Sequence, residues 1–439
     1  MLLALWAAAA AFVVWGAPGV PFHPDESTYL YMSQDFDRLI HQGPASVTWQ
    51  SANQPADVLR YRLLDAPMIH YLVGLGRSLA GLPALPRDWS WSMNWVENGL
   101  LGAMPSPAQL TAARLPVALM TALSLGLVYS IGARMSGLAT GLLGALLYGL
   151  SGVVLLHGRR AMAEGPLVFF GLLTIWLLLS RPRQRPEFAG ASAALTVASK
   201  LTGLAMAPIA ALALWLAPLG KLPADWCTRL KSLLWFAASF VAALFLLSPA
   251  LWSAPFAGLQ ALADTRQDLL SVQSAALRVA TPGLVADSLG ARAVGILYQV
   301  YFAPLAFWDL PNYSAQTRPA ELAYLAQPLH SGWHTPLLTT NLIVGGVIFG
   351  LTLAGMAFGA LSLLRRSPAL KSDGRYALIV VGAWTGATVL GLLTLNIIWQ
   401  RYYLPLMPIV CLWAAYGAAS LARPIAELLA ARKSPALQS

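Results

Sequence analysis

Charge is scarce in this chain. Only 10% of its 439 residues are Asp, Glu, Lys or Arg, against about 25% in an ordinary soluble domain. With 57% hydrophobic residues and a mean hydropathy of +0.62, a soluble fold is excluded and an all-α polytopic membrane protein is expected. Cysteine is nearly absent too. Cys227 and Cys411 fall in a short basic loop and an apolar segment, which excludes a disulfide framework. No internal repeat and no low-complexity linker interrupts the chain. Acidic residues are the rarer charge, 18 against 28 basic ones.

What is present is a series of apolar runs. The first occupies residues 1–20, and residues 2–18 carry no charge. It lacks a basic n-region, so it reads as a retained first helix rather than a cleaved signal. A polar stretch, 21–108, follows. Within it, Pro67 to Leu82 is apolar but short and interrupted by His70 and Arg77, as expected of an interfacial helix. Residues 109–250 hold spans two to seven, at 109–132, 138–156, 164–180, 187–199, 202–218 and 232–250. A folded loop at 251–336 contains the ambiguous segment 291–308, and 337–422 holds the last three spans. That makes about ten.

With the N-terminus inside, the cytoplasmic loops collect Arg134, Arg181, Arg183, Arg185, Lys221, Arg229, Lys231, Arg365, Arg366, Lys371, Arg375, Arg423, Arg432 and Lys433. Only Glu187, Asp225, Asp373 and Glu427 oppose them, so the net charge of +10 lies entirely on that side. The positive-inside rule then puts both termini, including the tail 423–439, in the cytoplasm and 21–108 and 251–336 outside. Basicity of this kind faces anionic membrane lipids and gives no reason to expect a nucleic-acid partner.

Three polar sites fall on the outer side of this topology. Pro21-Phe22-His23-Pro24-Asp25-Glu26 puts two carboxylates where the first helix leaves the hydrocarbon, a functional-site pattern. Pro24 and the acids also suit the first turn of a helix. His157-Gly158-Arg159-Arg160, followed by Glu164, opposes the charge bias. The double arginine therefore needs an anionic partner, such as a lipid phosphate, or snorkels to headgroups. Lys200 separates two short apolar segments, and Arg401 stands in Trp399-Gln400-Arg401-Tyr402-Tyr403 among membrane-interface aromatics. Carboxylates and cations at helix ends are what sugar transfer from a lipid phosphate requires. Cations hold the leaving phosphate, and a carboxylate deals with the acceptor hydroxyl.

These motifs resemble the GT-C membrane glycosyltransferases, in the branch of protein O-mannosyltransferases and the lipid A aminoarabinose transferase. The resemblance rests on Asp25-Glu26, on Asp65-Ala66-Pro67-Met68-Ile69-His70-Tyr71 with Leu79-Ala80-Gly81, and on Ala113-Arg114-Leu115-Pro116. Glu164, Ser199-Lys200, Ser248-Pro249-Ala250-Leu251-Trp252 and Arg401-Tyr402-Tyr403-Leu404-Pro405 continue it in order. It implies a GT-C-like bundle of about 10–12 transmembrane helices in a membrane such as the bacterial inner membrane. It also implies inverting transfer from a polyprenyl-phosphate sugar to a hydroxyl acceptor on the periplasmic side. Asp25 would be the base or would orient the acceptor, with Glu26 and Glu164 as further carboxylates. Arg159, Arg160, Lys200 and Arg401 would hold the donor phosphate. The family's juxtamembrane lysine is replaced here by Asp65-Ala66, which nominates Arg60 or Arg62 for its place. The second acid is Glu164 rather than Asp. A divalent metal on His23, Asp25, His157 and Glu164 is the weaker reading of that set. Trp89, Trp91, Trp95, Trp308 and Trp333 are either sugar-stacking or interface residues. Two other classes compete: a transporter or flippase for a lipid-linked substrate, and a non-catalytic subunit of a glycan-assembly complex. The charges cluster at one face without a repeat, which favours the enzyme over the transporter.

Overall fold

The computed structural model describes residues 2–50, 54–180, 185–217, 226–308, 311–335, 337–365 and 372–433. The expected cytoplasmic positions Arg181, Arg183, Lys221, Arg366 and Lys371 lie outside the described residues. Among those described there is no β-strand, only isolated bridges such as Ser151 with Gly332. The protein is an all-α polytopic membrane protein.

Helix α1 (Leu2–Trp15) is wholly apolar and stops one residue before Gly16. A Cβ on Gly16 would lie 2.4 Å from the Arg159 guanidinium carbon, so glycine is required for the arginine to approach. The chain turns into α2 (Pro24–Met32), which begins with a capping box. The His23 Nδ1 accepts from the Asp25 N–H at 3.2 Å, and the Glu26 carboxylate accepts from the His23 N–H at 3.1 Å. This satisfies two of the amides that a helix start leaves unpaired. Short helices α3 (Gln34–Gln42), α4 (Ala56–Leu64), α5 (Met68–Leu79) and α6 (Trp95–Leu100) follow. Helix α5 is the short apolar segment read as interfacial.

The bundle proper begins with α7 (Pro107–Ser136), entered by a Ser106–Gln109 capping box with Pro107 in the first turn. Then come α8 (Leu138–Gly149), α9 (Gly152–His157), α10 (Glu164–Ser180), α11 (Pro186–Ser199), α12 (Met206–Leu216) and α13 (Trp226–Leu247). Helix α14 (Pro255–Ala280) is a long amphipathic rod. After it, α15 (Leu289–Leu297) runs into a π-helical turn at Tyr298–Phe302, so the ambiguous segment 291–308 forms no spanning helix. The chain closes with α16 (Ser314–Leu325), α17 (Leu338–Leu364), α18 (Ser372–Leu393) and α19 (Met407–Lys433).

Helices α7, α13, α17, α18 and the segment Gln400–Pro424 are long and apolar enough to cross a bilayer, and α8, α10 and Leu201–Leu216 are shorter apolar helices. Tight crossings in lipid need small residues because lipid gives no hydrophobic drive between helices. At the α17–α19 crossing, a Cβ on Gly355 would sit 2.0 Å from the Trp413 carbonyl, and one on Gly417 would sit 2.1 Å from that of Leu351. Leu234, Trp235, Val241 and Leu246 on α13, with Ile343 and Val347 on α17, stay exposed. Apolar faces of this kind are covered by lipid rather than water. Helices α2, α4, α5 and α14 supply walls of the site described below.

Candidate active site

Neighbours on a helix point about 100° apart, and this separates Asp25 from Glu26. Glu26 turns inward and is fully buried. Its carboxylate takes two guanidinium bonds from Arg114, both 2.6 Å, and the N–H of Ala161 at 2.9 Å. Burial alone favours the neutral acid, but Arg114, with Arg160 behind it, holds the carboxyl below its ordinary range. Glu26, expected among the reacting carboxylates, is thus tied into the start of α2 and does not line the cavities described below.

Arg159 and Arg160 are also fully buried. Arg159 donates to the carbonyls of Val13 at 2.9 Å and Phe12 at 2.8 Å, at the end of α1. Arg160 donates to the carbonyls of Pro21 at 3.3 Å and Phe307 at 2.8 Å. A helix C-terminus leaves its last carbonyls without partners and carries partial negative charge, which suits Arg159 at the end of α1. Backbone carbonyls take the place of the anion expected for the double arginine, and neither Arg159 nor Arg160 lines the cavities described below. Arg62 does not line them either: it grips buried Asp35 with bonds of 2.9 and 2.6 Å and donates to the Thr48 carbonyl.

Asp25 faces the other way, into a cavity of about 660 Å³ between α2, α4, α11 and α14. One of its oxygens is ion-paired with Arg401, and the other lies 3.7 Å from the His23 Nδ1. Glu164, Lys200, Arg401 and, at the rim, Arg60 line the same cavity. The Lys200 Nζ lies 2.6 Å from one Glu164 oxygen and 4.4 Å from the centre of the Tyr402 ring. The second Glu164 oxygen is buried without a hydrogen-bond partner. Arg60 reaches only Asp268, at 3.5 Å in an exposed pair joining α4 to α14.

Sequence reasoning missed two groups as site residues. Arg266 projects from α14 into the cavity, and Asp65, between α4 and α5, faces it across the space. Arg266 lies on one face of α14. Arg266, Leu269, Gln273, Ala276, Leu277 and Ala280 line the cavity at the three- and four-residue spacing of one helix face.

A second, apolar cavity of about 290 Å³ runs from this point between α10, α12 and α18, past Leu167, Val168, Met206, Trp384 and Leu392. Lys200, Arg266, Arg401 and Tyr402 line both spaces. A polar chamber with carboxylates thus meets an apolar slot at three cations. This arrangement seats a molecule with an apolar tail, an anionic junction and a polar head.

Among the described residues, no three His, Cys, Asp or Glu side chains converge as a metal site. The set His23, Asp25, His157 and Glu164 is not assembled. His23 caps α2, His157 is buried in α9, and Glu164 has the Lys200 ammonium where a metal would sit. Of the five tryptophans, Trp91 lines the cavity. Trp89, Trp95 and Trp308 pack together with Tyr313, and Trp333 stacks on His334.

Known proteins share this fold. The structure is similar along 100% of its length to the archaeal oligosaccharyltransferase AglB from Archaeoglobus fulgidus, solved with an inhibitory peptide and a dolichol-phosphate, at a TM-score of 0.52 and 13% identity. A second structure of the A. fulgidus oligosaccharyltransferase, with Zn and sulfate, aligns over 99% of the chain at a TM-score of 0.51 and 15% identity. Residues 106–252 match the family described as dolichyl-phosphate-mannose-protein mannosyltransferase. The chain has the GT-C fold. It covers 52% of the length of each of those two GT-C proteins. No curated protein matches it in sequence. The family match includes Arg114, Glu164 and Lys200; Asp25, Asp65, Arg266 and Arg401 lie outside it.

Proposed function

We propose that this protein is a membrane glycosyltransferase that moves a sugar from a polyprenyl-phosphate carrier to a hydroxyl acceptor, with inversion. The observation that carries the reading is the meeting of the apolar slot and the polar chamber at Lys200, Arg266 and Arg401. The polyprenyl chain occupies the slot, its phosphate sits among the cations, and the sugar enters the chamber. The dolichol-phosphate in the A. fulgidus structure is a carrier of the same chemistry.

As the bond from sugar to phosphate breaks, negative charge grows on the phosphate. Cations fixed in a low-dielectric site stabilise that charge best. Glu164 holds Lys200 in place, while the Asp25 oxygen outside the Arg401 pair accepts a hydrogen bond from the acceptor hydroxyl. Attack from the chamber side, opposite the leaving phosphate, inverts the anomeric centre. Purified protein incubated with polyprenyl-phosphate sugars and a panel of hydroxyl acceptors should release polyprenyl phosphate and form glycoside. Folded protein that forms none, but moves lipid-linked sugar across vesicles, would favour the transporter.

The chamber is further proposed to open on the periplasmic side of a bacterial inner membrane, with both termini cytoplasmic. Cys227 is exposed and belongs to the cytoplasmic side in this orientation. In intact cells an impermeant thiol reagent should label Ser92→Cys and spare Cys227. The opposite pattern inverts the topology.

A further inference from the structure

Asp65 is the least committed carboxylate in the chamber. It caps α4 in an extended conformation, φ −104° and ψ 137°. Ala66 and Pro67 then lead directly into α5. Ala66, which precedes Pro67, is the residue that the proline restricts, so Asp65 sits on a three-residue joint between two helices rather than on a long loop. The other chamber carboxylates have partners: Asp25 has Arg401, Glu164 has Lys200, and Asp57 has the Tyr31 hydroxyl at 3.1 Å. Among the described residues, the Asp65 carboxylate makes no hydrogen bond or ion pair, and it lines the chamber beside Asp25, Tyr29, Tyr61 and Arg266.

We propose that Asp65 takes the proton that the acceptor hydroxyl releases, while Asp25 orients that hydroxyl. The inference rests on the glycosyltransferase reading and assigns a second carboxylate within it. The acceptor oxygen bonds to the anomeric carbon as the carbon–oxygen bond to phosphate breaks. The electron pair leaves with the phosphate, which Lys200, Arg266 and Arg401 hold. The hydroxyl proton passes to Asp65 and from there to chamber water. Nothing else enters or leaves.

The electrostatics fit a group that must gain and lose a proton. Burial raises the Asp65 pKa first, and the charges of Asp25 on α2 and Asp88 before α6 raise it further. Arg266 on α14 and Lys200 at the end of α11 pull it down, and it settles at about 7. Tyr29 and Tyr61 stay neutral beside it, their hydroxyls pushed up by burial. Asp57, Glu164, Arg60 and Arg401 complete the charged lining. A base is most effective when its pKa lies near the working pH.

The test is the pH profile of kcat/KM for transfer from a polyprenyl-phosphate sugar, with a thermal melt on each variant. Asp65 acts as the carboxylate, so activity of the parent should rise with pH, with a midpoint near 7. Asp65→Asn should lower the rate roughly 10²–10⁴-fold and abolish that limb. Asp65→Glu should keep the limb with part of the rate. Arg266→Gln removes a positive charge that favours ionisation, so it should move the midpoint upward while also weakening donor binding. Folded Asp65→Asn with an unmoved limb overturns the assignment and leaves the glycosyltransferase reading intact. Should that variant not fold, an unmoved midpoint in Arg266→Gln overturns it instead. A parent protein with no transfer activity removes both readings together.

Discussion

Two charged clusters, built from the same residue types and adjacent in the sequence, do opposite jobs. In one, Glu26, Arg114, Arg159 and Arg160 are completely sequestered. Their bonds tie the end of α1, the start of α2 and the α9–α10 turn to α7. In the other, Asp25, Asp65, Glu164, Lys200, Arg266 and Arg401 surround open space. Asp25 and Glu26 are consecutive, and Arg160 is four residues from Glu164. What distinguishes the clusters is where the bonds go. The first uses both oxygens of its carboxylate, Glu26, on Arg114 and the Ala161 N–H. The second keeps an Asp25 oxygen outside the Arg401 pair, an unbonded oxygen on Glu164 and an unpartnered carboxylate on Asp65. A buried polar group normally finds a partner, so unspent carboxylate oxygens distinguish the second cluster from the first.

The sharpest way to break this comparison is to neutralise the two adjacent acids in turn. Asp25→Asn removes a charged acceptor from the chamber without touching the bonds of Glu26. Turnover should fall on the order of 10²-fold, because the acceptor hydroxyl loses the group that orients it, with a smaller drop in melting temperature than Glu26→Gln. Glu26→Gln should do the reverse. Leaving Arg114 buried without its counter-charge costs about 3–5 kcal/mol of stability, while whatever folds should keep near-normal turnover. A Glu26→Gln variant that melts like the parent but is inactive would place Glu26 in the chemistry after all.

The cations give the next largest effect. Charge-assisted bonds to phosphate are worth roughly 1.5–3 kcal/mol each. Arg266→Gln and Arg401→Gln should therefore each raise the donor KM about ten- to a hundredfold. Arg159→Met and Arg160→Met should leave the donor KM where it is and lower the melting temperature, because carbonyls of Phe12, Val13, Pro21 and Phe307 lose their donors. A raised donor KM in folded Arg160→Met would return the double arginine to the phosphate.

The fold class was legible because hydrophobic runs of fixed length have few alternatives in a bilayer. The helices α7, α8, α10, α13, α17 and α18 fall on apolar runs that periodicity and length single out. The site was legible only in part. Asp25, Lys200 and Arg401 announce themselves as charges at helix ends, but their convergence joins residues 376 positions apart. Nothing local distinguishes the inward turn of Glu26 from the outward turn of Asp25. Arg159 and Arg160 demanded an anion, and the sequence pattern contains no means of counting nearby carbonyl oxygens. Arg266 and Asp65 were missed because each becomes a site residue only when α14 is laid across α4.

The smallest predicted effect concerns a phosphate candidate at the edge of the chamber. Arg60 lies at the chamber rim, and its pair with Asp268 joins α4 to α14 across 3.5 Å with both side chains more than half exposed. Water screens such a pair on all sides and side-chain entropy opposes it, so it contributes about 0–1 kcal/mol. Arg60→Ala and Asp268→Ala should therefore leave the melting temperature nearly unchanged and the donor KM within about twofold of the parent. The double variant should equal the sum of the singles, because a contact this weak leaves little coupling to detect. Strong coupling between the two positions, expressed in donor KM rather than in stability, would mean that α14 closes over the bound carrier and that the rim pair holds it shut.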